Sequence, residues 1–245
     1  MIGVPTVLSS PARPGARALA WRRPAALPAG LPIPLAAAFL VVAPVFVQAP
    51  WVRSAPMAAA LFTVPLVGLA LLLERQEEGR TRQLGLLLAG FSASWLGGAL
   101  FWGWCRLHPA LHLPVEGFAL PIALAGLSGR WRPAASFYLA SLLGTAATDG
   151  AMALTGVMGL WPRVLEAPLS VAPLLLQEAA GRLIAPLPLT LLTVSAALLL
   201  GIAGLLWRRG GIAARVAAAT LATTVVVDGL FLASALLAPR LSGLV

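Results

Sequence analysis

Long apolar stretches alternate with short polar ones along this chain. The apolar blocks run over roughly 31–52, 55–73, 84–105, 114–129, 134–160, 185–207 and 216–238. Within them the apolar residues are near-continuous rather than striped at helical spacing, the pattern of helices with lipid on several sides. At about 1.5 Å per residue, some twenty residues cover a hydrocarbon core of ~30 Å. The pattern predicts an all-α, polytopic transmembrane bundle of about seven helices. The fourth block is short and Pro114 and Pro121 interrupt it, so a re-entrant segment is the alternative to a full crossing. The fifth is long, and Gly144 and Gly150 would let it tilt or bend.

Segment 161–184 is too polar to span. From Leu174 it predicts a helix pairing Glu178 with Arg182 at i,i+4, with Leu175, Ala179 and Leu183 on its greasier side. Such a helix lies in the interface plane. Residues 31–245 thus read as a single transmembrane helical domain with an interfacial segment at 161–184. Residues 1–30 carry Arg13, Arg17, Arg22 and Arg23 among Pro, Ala and Gly, with no acid, and read as a disordered basic cytoplasmic tail. Val47-Gln48-Ala49 resembles a signal-peptidase site, but the apolar run before it is long enough to span, which favours an uncleaved anchor.

Composition agrees with the blocks. Of 245 residues, 60% are hydrophobic and only 10% are charged, and mean hydropathy is +0.92. A soluble domain of this size cannot bury so much apolar surface. The net charge of +9 would suit nucleic acid, but its placement speaks against that partner. All seventeen basic residues are Arg, and nearly all sit in the tail or between blocks, where they set topology and meet anionic lipid. With a cytoplasmic N-terminus and seven spans, twelve arginines fall inside and five outside. This is the direction of the positive-inside rule and sends the C-terminus out. Trp51, Trp104, Trp131, Trp161 and Trp207 fall at block ends, the headgroup level an indole prefers. Trp95 and Trp102 lie inside the third block, where they pack against neighbours or cradle a pigment, quinone or lipid.

Two acids stand out. Asp149 and Asp228 lie near the middles of their blocks, with no Arg within a turn. A charge there costs roughly 2.5–3.5 kcal/mol on the insertion scale, so each must face the bundle interior, hold a proton or find a donor. Thr145 and Thr148 flank the first; Thr220, Thr223 and Thr224 precede the second. Either they form a substrate or proton pathway, or each bonds a hydroxyl and glues two helices. Both should point into the bundle, in a shared cavity that Glu116 approaches from the outer side. His108, His112 and Glu116 have i,i+4,i+8 spacing, the alignment of metal ligands on one helix. Pro109 and Pro114 break that helix, so the expectation is no metal. The alternative has Pro114 opening a helix whose first turn carries Glu116, with neutral histidines at the headgroups. Cys105 is alone, which excludes an intramolecular disulfide or iron–sulfur cluster. Phosphate-binding, dinucleotide, HExxH and GxSxG motifs are missing, and no cofactor is identified beyond a bound lipid, pigment or quinone.

The third to fifth blocks carry a resemblance. Phe91-Ser92-Ala93-Ser94-Trp95, Phe101-Trp102-Gly103-Trp104, His112-Leu113-Pro114-Val115-Glu116 and the run from Phe137 to Asp149 resemble an uncharacterised family of cyanobacterial multi-pass membrane proteins, over roughly residues 35–235. The resemblance implies a thylakoid or plasma membrane of a photosynthetic bacterium and no particular activity. Pro114-Val115-Glu116 with Phe118 is similar to the Pro-x-Glu-Glu motif of membrane-embedded carotenoid cyclases, with Gly117 in place of the second acid.

Three functional readings follow, all in a bacterial inner or thylakoid membrane with the bilayer as partner. The first is a non-catalytic assembly factor or accessory subunit of a membrane complex, bound to other membrane proteins. The second is a proton- or cation-coupled carrier using Asp149 and Asp228. The third is a membrane-embedded enzyme on an isoprenoid or quinone, with Glu116 as acid and His112 beside it.

Overall fold

A computed structural model describes residues 32–77 and 79–241. The tail expected over 1–30 lies outside the described residues. The described chain is helical: α1 (Ile33–Ser54), α2 (Pro56–Glu74), α3 (Arg80–Cys105), α4 (Pro109–Gly126), α5 (Arg132–Leu154), α6 (Trp161–Glu166), α7 (Ala172–Leu183), α8 (Pro186–Arg209) and α9 (Ile212–Leu237). Six of them, α1 to α4 with α8 and α9, are long and apolar enough to cross a membrane. The fifth expected span, α5, has 23 residues but carries Ser141, Thr145, Thr148 and Asp149, and falls short of the others in apolarity. That polarity is explained by its position. It packs between α3 and α9, with α4 and α8 completing its surroundings.

Chain punctuation follows the prolines and glycines. Pro56, Pro109 and Pro186 stand at helix starts, where a missing N–H costs nothing. The α8–α9 turn uses Gly210 and Gly211, both with positive φ (72° and 76°), which a Cβ would disfavour. The fourth block begins earlier than its apolar residues suggest, at Pro109. Pro114 is therefore inside the short helical stretch His112–Glu116 rather than at the start of the helix. The chain narrows into a 3-10 turn over Gly117–Ala119 before continuing.

Contacts give the ends of the bundle. The Glu74 carboxylate at the end of α2 lies 3.9 Å from Arg82 on α3 and 3.3 Å from Arg130 in the α4–α5 turn, so α3 leaves this end and α4 returns to it. α4 thus runs the length of the bundle back to the Glu74 end, and at 18 residues it is long and apolar enough to cross a membrane. Ile33, Leu87, Phe137 and Val216, all early in α1, α3, α5 and α9, form one buried cluster near the same end. At the opposite end Trp102 meets Trp161 edge-on at 5.9 Å, and Val164, Leu176 and Ala235 pack together.

Between apolar helices in lipid there is little hydrophobic drive, so close approach of small residues supplies the packing. Gly90 lies directly against the Ala134 backbone, and Gly144 against Thr224, whose Cγ2 would sit 2.9 Å from an added Cβ. Gly144 is thus a contact surface of α5, which runs unbroken through it. Leu187, Val194, Leu198 and Leu205 of α8 remain exposed, as a lipid-facing stripe would be. On α7, Glu178 and Arg182 pair at 2.7 Å. Leu176, Ala179 and Ala180 of α7 are buried, with Leu175 only half-buried, because α7 packs against α9.

Candidate functional site

The helices leave a cavity of about 640 Å³ toward the end opposite Glu74. Its polar wall is built where α4, α5 and α9 meet. The Tyr138 hydroxyl of α5 donates to the Glu116 carbonyl and accepts from the Ala119 N–H at 3.2 Å, which fixes the 3-10 turn. The Glu116 backbone is close enough to α3 that a Cβ on Gly97 would lie 3.0 Å from the Glu116 Cα. These contacts hold Glu116 and His112 toward the cavity.

His112 is the centre of the cluster. Its Nδ1 lies 3.0 Å from Asp149 Oδ1 and its Nε2 3.2 Å from Glu116 Oε1. The other Glu116 oxygen, Oε2, accepts from the Thr145 hydroxyl at 2.9 Å. Asp228 on α9 accepts from Thr148 at 2.7 Å. Phe101 stacks on the imidazole with centroids 4.1 Å apart, and Trp102 meets its edge at 6.5 Å. A neutral imidazole offers one donor and one acceptor. Both ring nitrogens face carboxylate oxygens here, so both bonds form only when the trio holds one proton beyond a neutral ring and two carboxylates. Such a trio has the groups needed to take up and release that proton.

The structure brings four of the sequence-selected residues, His112, Glu116, Asp149 and Asp228, to one cavity. Their partners differ from those suggested by neighbours in the chain. Thr145 and Thr148 serve acids on other helices, while Thr220 and Thr224 bond their own backbone at Val216 and Thr220. His108 precedes the 3-10 turn Pro109–Leu111 with non-helical backbone and does not line the cavity, so the helical i,i+4,i+8 alignment does not form. Among the described residues no set of three or more His, Cys, Asp and Glu side chains is arranged to hold a metal ion. Trp102 lines the cavity. Trp95 does not: its indole N–H donates to Ala59 O at 2.8 Å, and its ring packs among Trp51, Phe62 and Phe91.

Two wall residues were not singled out in the sequence as part of a site. Gln48, buried, donates from Nε2 to Trp95 O at 2.6 Å; it comes from the π-helical stretch Pro44–Gln48 of α1. Ser94 lines the cavity, and its buried hydroxyl has no hydrogen-bond partner among the described residues. A lone amide at a block end, and a serine among small residues, carry no periodicity that would mark them.

Residues 37–236 match the model of a family described as a protein of unknown function (DUF3120). No curated protein and no solved structure matches the chain.

Proposed function

The chain belongs to the DUF3120 family, an apolar helical bundle of unknown role, and from that premise we propose that it is a proton-coupled carrier of a small molecule. The observation that carries the reading is His112, held between Glu116 and Asp149 on the wall of a cavity. A solute bound there competes with, or completes, the hydrogen bonds of the shared proton, which couples solute occupancy to protonation. We further read the membrane as a bacterial inner or thylakoid membrane, the arginine-rich end as cytoplasmic, and α5 as the seventh crossing. An accessory-subunit role accounts for the apolar bundle but gives no reason for a histidine between two acids at a cavity.

Vesicles containing the purified protein and an internal pH dye test the carrier. Fractions of a small-molecule extract from the native host are added outside. One fraction is expected to shift internal pH with wild type, and not with Asp149→Asn. If every fraction is silent, or the variant responds as wild type does, the carrier reading fails.

A second reading has its own observation. The wall beside Glu116 is aromatic, with Phe101, Trp102 and Trp161, as an enzyme acting on an isoprenoid or quinone would need. In that case a deletion strain accumulates a pigment or quinone precursor; an unchanged profile removes this alternative.

A further inference from the structure

The chemical class of the occupant follows from the charge of the wall. We infer that the cavity takes an organic cation, a positive ammonium-type centre carried on an apolar body. The inference uses the same site as the carrier reading, but it concerns binding and does not require transport.

The titratable side chains lining the cavity among the described residues are His112, Glu116, Asp149 and Asp228. No arginine lines it there, and the chain has no lysine. With its three carboxyl groups ionised, the wall has an excess of negative charge whichever way His112 is protonated. Half-buried charge of one sign in an apolar bundle is costly and calls for compensation by protons or by a bound cation.

Shape and surface choose the kind of cation. A cavity of about 640 Å³ lies in the size range of small-molecule sites and is far larger than one ion occupies. Trp102, Trp161 and Phe231, all half-buried, line it along with Leu192 and Met152, so a weakly hydrated centre can rest on aromatic rings near the carboxylates. Cation and proton then compete for the same carboxylates, so that loading one expels the other.

Two nearly isosteric probes of opposite charge separate this from simple apolar binding. The full chain, purified in neutral detergent, is dialysed against labelled tetraphenylphosphonium and, separately, tetraphenylborate. The phosphonium is expected to bind saturably and the borate not. Asp149→Asn and Asp228→Asn should each weaken phosphonium binding roughly tenfold or more, and lowering the pH should weaken it in the wild type. In lightly buffered detergent a pH dye should record proton release on binding. Borate binding as well as phosphonium, binding of neither, or unchanged phosphonium binding in both variants overturns the inference. The wild-type comparison stands even if a variant fails to fold. Phosphonium binding together with silent vesicles would uphold the inference and remove only the carrier.

Discussion

Thr148 donates its hydroxyl to Asp228 across the α5–α9 contact at 2.7 Å, while its chain neighbour Asp149 bonds His112 at 3.0 Å. One turn of α5 therefore ties the acid of α9 to the histidine of α4. The same bond invites a purely adhesive explanation, in which Asp228 only joins two helices.

Adhesion and function separate in a pair of variants. Asp228→Asn still presents an oxygen to Thr148, so thermal stability in detergent should stay within about 1 kcal/mol of wild type. Thr148→Val leaves a buried acceptor without its donor and should cost about 1–3 kcal/mol. If Asp228→Asn destabilises as much as Thr148→Val and leaves cation binding intact, Asp228 is glue.

His112→Phe keeps a ring on Phe101 and removes both nitrogens from Glu116 and Asp149. The variant should fold, with helical circular dichroism retained and a loss of about 1–3 kcal/mol, and should abolish the solute-driven pH response in vesicles. A variant that still moves protons would take His112 out of the pathway.

Packing makes its own prediction. Gly90→Ala pushes a methyl into the Ala134 backbone, where nothing can swing aside, so the α3–α5 contact should lose about 1–3 kcal/mol or more. Gly204 has open space around it, and Gly204→Ala should be neutral or stabilise the helix by up to about 1 kcal/mol. Equal thermal melts for the two variants would contradict the close α3–α5 approach.

Topology is checked by reporter fusions. A phosphatase joined after Val245 or at Pro168 should be active, and one at Glu78 or Gly210 silent, as seven crossings from a cytoplasmic N-terminus require. An active fusion at Glu78 reverses the orientation.

Much of the fold was legible because lipid imposes length and apolarity on every crossing helix. α5 was the exception by composition: buried by neighbours, it tolerates Thr145, Thr148 and Asp149, yet its length still marked it. Of the site, Asp149 and Asp228 were legible because a mid-block acid is costly. His112 and Glu116 were visible only as a spacing that also suggests metal ligation; their link to Asp149 is made by the α4–α5 contact, which one sequence does not display. The donors were misassigned locally for the same reason. Thr145 and Thr148 lie beside Asp149 in the chain, but their hydroxyls serve Glu116 and Asp228.

The proposal that His112, Glu116 and Asp149 share a proton is open to direct observation. A pH-jump infrared difference spectrum of the protein in vesicles records the stretch of protonated carboxyl groups. The account predicts a carboxyl band that responds to pH in the wild type and is lost or displaced in Glu116→Gln and Asp149→Asn. A spectrum with no responding carboxyl band, or one identical in wild type and both variants, would contradict it.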